Sequence, residues 1–251
     1  MELEGKRTLI TGAGRGLGLA IAKLFAERGA RVALADIDGA VVEQATAEVG
    51  HGAISLRCDV TKPEDVQAAI ADTVAAFGGL DVMINNAGIE ISKPLPATED
   101  DEFSKLMAVN VNGVFYGIKY AVPALAETHG CILNMASVAG QAGVPLLGAY
   151  SASKAAVIRL SQTAAIELRE AGIRVNALCP SFVQTEMVDR LVAPFEAATG
   201  VAFGDLAAMA QGRLGTPEEV AELAAFLASD DASFITGSYY TMDNALSASK
   251  Q

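Results

Sequence analysis

The sequence predicts an α/β fold, a doubly wound parallel sheet of seven strands with helices on both faces, and three observations carry it. Short apolar runs recur along the chain, stretches of helical periodicity separate them, and a glycine-rich turn joins the first run to the first helix. An apolar content of 51% with 24 glycines and no tryptophan agrees, because parallel strands are buried on both faces and their connections turn tightly. With no repeat, low-complexity tract or Pro/Gly/Ser linker in its 251 residues, the chain is read as one domain, 1–251.

The first strand is expected at Thr8 to Ile10. It runs into Thr11-Gly12-Ala13-Gly14-Arg15-Gly16-Leu17-Gly18 and then the helical pattern Leu19, Ile21, Ala22, Leu24, Phe25. Strand, glycine turn and helix form a seat for a pyrophosphate, whose charge meets the unpaired N–H groups and positive dipole end of the helix. The string departs from strict G-x-G-x-x-G, because the sixth position counted from Gly12 is Leu17. The second strand, Val32 to Ala35, ends at Asp36 with Ile37 beside it. A carboxylate at this offset accepts from the adenosine ribose hydroxyls and repels a 2′-phosphate, so the expected cofactor is NAD. NADP is the alternative, because the Arg15 guanidinium suits a 2′-phosphate.

The third strand, Ile54 to Leu56, closes in Cys58-Asp59-Val60, where Asp59 is placed to accept from the adenine amino group. Thr61-Lys62-Pro63-Glu64 then has the Thr-x-x-Glu capping-box form. The fourth strand, Val82 to Ile84, closes in Asn85-Asn86-Ala87-Gly88, whose small residues let backbone lie against adenosine. The fifth, Cys131 to Met135, leads to Ser137, a hydroxyl at the carboxyl end of a strand, where open α/β sheets bind ligands.

Thirteen residues later, Tyr150-Ser-Ala-Ser-Lys154 places a phenol and an ammonium at i, i+4 on one helix face. The fixed positive charge is expected to bring the phenol from its usual pKa near ~10 toward working pH, fitting Tyr150 for general acid and base work. The sixth and seventh strands are Val175 to Leu178 and Tyr239 to Met242. Between them, 181–211 reads as two core-facing helices serving as a substrate lid, with Met187, Leu191 and Phe195 at i, i+4, i+8, then Phe203, Leu206 and Met209. Thr216-Pro217-Glu218-Glu219 is a second capping box, with proline at the first helical position.

Bulk properties exclude several classes. A net charge of -12 opposes binding to nucleic acid and to anionic membranes. Cys58, Cys131 and Cys179 lie in apolar runs and read as buried thiols of a reducing cytoplasm. The amino terminus lacks the basic and apolar regions of a signal peptide, no apolar stretch approaches membrane-span length, and no metal cluster is expected. His51 and His129 read as loop residues, which argues against a Ser-His-Asp hydrolase.

Taken together, Thr11-x3-Gly16-x-Gly18, Asn85-Asn86-Ala87-Gly88, Asn110, Ser137 and Tyr150-x3-Lys154 resemble the classical short-chain dehydrogenase/reductase family, along essentially the whole chain. The resemblance implies a Rossmann-type domain, with Ser137, Tyr150 and Lys154 in the catalytic positions. It gives Asn110 the proton-relay position in preference to Asn112. It places Asp59 and Val60 at adenine, Asn86, Ala87 and Gly88 at adenosine, and Pro180, Val183 and Thr185 at the nicotinamide. Two departures stand out: Ser181-Phe182 where family members commonly continue from proline to glycine, and Asp243-Asn244-Ala245 where Asp-Gly-Gly is usual. A homotetramer or homodimer is likewise implied, formed by the long helices near Asn110 and after Tyr150.

The apolar side chains Met187, Val188, Leu191, Val192, Phe195, Phe203 and Leu206, with Gln141, Val144, Leu146 and Leu147 after Ser137, suit a hydrophobic, cyclic or aryl, secondary alcohol or ketone. The runner-up is reduction of 3-oxoacyl groups on acyl carrier protein, ranked second because an acidic carrier prefers a basic landing surface. A non-catalytic dinucleotide-sensing module would not need the serine, tyrosine and lysine together.

Overall fold

The computed structural model describes residues 3–248. Its strands are β1 (Arg7–Thr11), β2 (Arg31–Asp36), β3 (Ile54–Arg57), β4 (Val82–Asn85), β5 (Cys131–Met135), β6 (Arg174–Pro180) and β7 (Tyr239–Met242), all parallel, in the order β3-β2-β1-β4-β5-β6-β7. Each of the seven apolar runs falls inside one of them. The helices are α1 (Gly16–Glu27), α2 (Gly39–Val49), α3 (Pro63–Phe77), α4 (Asp100–Met107), α5 (Gly113–Ala126), α6 (Gly148–Glu167), α7 (Glu186–Thr199), α8 (Phe203–Gln211) and α9 (Pro217–Ala228). No single helix among the described residues is long and apolar enough to cross a membrane.

Successive strand residues point to opposite faces, and the sequence supplies apolar side chains to both. Ile10, Leu34, Ile84 and Leu133 pack on one face with Ile21, Phe25, Val42, Val220 and Leu227 of α1, α2 and α9. Leu9, Ala33, Met83 and Ile132 pack on the other with Val66, Ile70, Ala121, Leu125 and Ala164 of α3, α5 and α6. Because β1 lies between β2 and β4, the winding reverses there, and a crevice opens at the carboxyl ends of the strands.

Local chemistry explains two differences from expectation. Thr61 does not cap α3; its hydroxyl and amide both bond the Asp59 carboxylate, and the helix begins at Pro63 with Lys62 as an N-cap that makes no side-chain bond. Met209 is 84% exposed, because Phe203 and Ala207 bury the inner side of α8 and Met209 falls outside that stripe. Elsewhere Thr216 and Glu219 form both bonds of the second capping box. His51 and His129 occupy left-handed turn positions, each with φ of 51°.

Candidate active site

The crevice begins at the glycine turn. Gly12 has φ of +62°, and a Cβ there would lie 2.7 Å from the Ala87 backbone, so β1 and the turn after β4 can meet only through glycine. A Cβ on Gly18 would run into the Gly12 carbonyl, which leaves the first turn of α1 bare where a phosphate would approach. Asp36 closes the far side: its carboxylate accepts from Gly14 N at 3.0 Å and Asp38 N at 3.2 Å, and Ile37 beside it stands exposed. Asn86 holds the turn rather than offering a free amide, since its Nδ2 donates to the carbonyls of Thr11 and Gly12. Asp59 spends its carboxylate on Thr61, and Val60 is buried beside Gly113.

Ser137, Tyr150, Lys154 and Asn110 converge at the carboxyl end of β5. Ser137 leaves that strand with its Oγ accepting from Ala139 N at 3.2 Å and donating to Pro180 O at 3.3 Å, on the side of the strand end where Tyr150 lies. Lys154 is buried, 3% exposed, and donates to Met135 O at 2.7 Å, with its Nζ 5.6 Å from the Tyr150 ring centroid. Asn110 is fully buried in a π-type turn, Ala108–Asn112, whereas Asn112 is exposed. The Asn110 Oδ1 accepts from Ile89 N, while its Nδ2 donates to Ile89 O and to Ser153 Oγ, which in turn donates to Tyr150 O.

The electrostatics correct one expectation. Burial pushes the Tyr150 phenol up to about 12, with Ser137 opposing it and Glu90 adding to it. Burial also pushes Lys154 down to about 8, while its ammonium is turned onto the Met135 carbonyl. Lys154 therefore does not by itself bring the phenol to working pH. Desolvation outweighs a charge that is already engaged by a carbonyl.

Past the end of β6 Val183 is buried, and Thr185 caps α7 with its Oγ1 accepting from Val188 N. Met187 and Val144 are half-buried, and Leu147 and Leu191 buried, whereas Gln141 is exposed and exchanges bonds with Thr241. Residues that sequence reasoning missed tie this side together. Gln211, buried at the end of α8, accepts from Ser181 Oγ and Phe182 N, donates to Phe182 O at 2.8 Å, and offers its own carbonyl to Asn244 Nδ2 at 2.7 Å. Ser181 and Asn244, one from each departure from the family pattern, thus meet at one residue, the first at the Gln211 side chain and the second at its backbone carbonyl, beside a cavity of about 210 Å³. Two ion pairs anchor α7 to the crevice: Arg15 to Glu186 at 3.3 Å, and Arg190 to Glu90 at 2.8 Å. Strand-end periodicity carries no signal for either pair, because each joins α7 to a loop remote in sequence.

A glycine turn thus lies at the topological switch point, with serine, tyrosine and lysine gathered near it at the strand ends. Comparison with known proteins agrees. Residues 12–247 match a family model described as enoyl-(acyl carrier protein) reductase. A 2,5-dichloro-2,5-cyclohexadiene-1,4-diol dehydrogenase of Sphingobium indicum is 41% identical over 250 residues, covering 98% of this chain and 99% of that protein. A cyclohexanol dehydrogenase of an Acinetobacter species is 40% identical, covering 97% and 96%. The crystal structure of a 3-ketoacyl-(acyl-carrier-protein) reductase from Brucella melitensis complexed with NADH superposes with a TM-score of 0.89 at 37% identity, covering 98% of this chain and 100% of that one. The chain belongs to the short-chain dehydrogenase/reductase family.

Proposed function

We propose that this protein is an NAD-dependent dehydrogenase that interconverts a hydrophobic, cyclic secondary alcohol and its ketone, and the convergence of Ser137, Tyr150 and Lys154 at the mouth of the dinucleotide cradle carries that reading. The relatives named for cyclohexanol and for a cyclohexadiene diol support the substrate class. The glycine-bare first turn of α1 and the Asp36 carboxylate fit a dinucleotide whose adenosine ribose carries free hydroxyls. Arg15, the feature favouring NADP, is engaged by Glu186.

Bound nicotinamide supplies the hydride acceptor or donor. Ser137 hydrogen-bonds the substrate oxygen, and Tyr150 beside it takes the carbinol proton in oxidation and returns it in reduction. Lys154 keeps its proton at neutral pH, and the N–H groups not spent on Met135 O are available to the nicotinamide ribose and, with the cofactor in place, to the phenolate. Asn110 holds the turn at Ile89 and Ser153 that supports a water path. The α7–α8 segment serves as the lid, with Met187 and Leu191 toward the substrate together with Val144 and Leu147.

Further features of the reading follow the same logic. Buried, unpaired Cys58, Cys131 and Cys179 suit a reducing cytosol. Exposed Phe115 on α5 and Ile166 on α6 suit burial against a second copy, giving a homotetramer or homodimer. Reduction of 3-oxoacyl carrier-protein thioesters is the second reading, favoured by the likeness to the Brucella melitensis reductase. An assay of cyclohexanol with NAD against an acetoacetyl thioester with NADPH separates them: faster turnover of the alcohol supports the dehydrogenase, and turnover of the thioester alone overturns it.

A further inference from the structure

The loop leaving β4 is bolted to the helix that carries Tyr150. A Cβ on Gly88 would stand 3.4 Å from both Lys154 Nζ and Asn110 Oδ1, and the next residue, Ile89, is clamped through its N–H and its carbonyl by Asn110. Asn110 continues through Ser153 to the Tyr150 backbone. The residue after Ile89 is Glu90, whose side chain is only 10% exposed. Its two carboxylate oxygens accept from Arg190 Nε at 2.8 Å and Nη2 at 3.3 Å, and Arg190 belongs to α7. The loop at 89–90 therefore links the proton-transfer helix, through the Ile89 backbone, to α7, through the Glu90 carboxylate.

We propose that Glu90 is a positioning residue that couples the docking of α7 to the proton affinity of Tyr150, with Arg190 as its switchable counter-charge. The proposal rests on the reading of Tyr150 as general base. The charged and titratable neighbours are few. Around Tyr150 the groups that act on its charge are Ser137, the Glu90 carboxylate and the Cys179 thiol, with Lys154 beside the ring and turned onto Met135 O. Arg190 faces Glu90, Glu186 and Asp189. With α7 docked, the guanidinium offsets part of the Glu90 charge and the phenol holds its proton less tightly. With α7 lifted, the carboxylate stands alone and holds that proton in place. Proton abstraction is thereby confined to the covered site, where water cannot compete.

The test is the pH dependence of kcat/KM for cyclohexanol oxidation by the whole protein with NAD, in wild type, Glu90→Gln, Arg190→Gln and Tyr150→Phe. Tyrosinate absorbance of the NAD-bound proteins, taken as the difference from Tyr150→Phe, gives a readout that needs no turnover. Glu90→Gln removes a charge that disfavours phenolate, so its acid limb and tyrosinate transition move to lower pH, with roughly threefold more phenolate at a fixed pH within the limb. Arg190→Gln exposes the carboxylate and moves both to higher pH. A merely structural role would weaken both variants without opposite shifts; with Tyr150→Phe inactive, shifts of the same sign or none overturn the proposal. Full activity of Tyr150→Phe would instead remove the general-base reading, and the coupling with it.

Discussion

At Tyr150 burial and charge compete, and burial wins, pushing the phenol up to about 12. Oxidation needs the ionised phenol, so alcohol oxidation should rise with pH through the neutral and mildly alkaline range, whereas ketone reduction, which needs the protonated phenol, should not. Lys154→Met should steepen that contrast by removing the nearest ammonium, measured as a shift of the oxidation profile to higher pH. At the other end of the crevice, Asp36→Ser should lower kcat/KM for NAD about tenfold and narrow the gap to NADP, because it removes both the ribose acceptor and the Gly14 bond; unchanged cofactor preference in initial rates would remove Asp36 from the adenosine site. The placement of these residues was legible because Asp36 ends a strand and Tyr150 and Lys154 share one helix face. Glu90, Arg190 and Gln211 were not, since their importance comes from partners 100 and 29 or 30 residues away, and no local pattern announces such a pairing.

Among the elements, the strands were the most legible, because burial on both faces leaves unbroken apolar runs. Helix starts were less so. Thr216 caps α9 as its Thr-x-x-Glu string suggests, but at Thr61 the same string loses to a nearer carboxylate, Asp59. The turn after β7 holds two successive non-glycine residues in the left-handed region, Asn244 at φ of 46° and Ala245 at φ of 68°. Asn244 recovers some of that cost through its bond to the Gln211 carbonyl, while Ala245 makes no side-chain bond. Ala245→Gly should therefore stabilise the fold by about 1 kcal/mol, raising Tm by a few degrees in a thermal melt. Asn244→Gly should gain less or lose, because it gives up an anchor of α8.

For the whole molecule, the reversal of winding at β1 and β4 puts the glycine turn, the Ser137 strand end and the α7–α8 segment around one crevice, which is how motifs spread from Gly12 to Thr185 come together in space. The net charge of -12 is spread over a surface that also leaves Phe115 and Ile166 exposed, and light scattering of the purified protein should report a dimer or tetramer rather than a 25.8 kDa monomer. The central claim is that Tyr150 moves the substrate proton at a site that binds NAD without its help. It is tested most directly by mixing wild type and Tyr150→Phe with NAD and cyclohexanol, following NADH absorbance and NAD binding in parallel. The account expects NADH from wild type, a loss of at least about a hundredfold in the variant, and nearly equal NAD affinity in both. Substantial NADH formation by Tyr150→Phe would contradict it.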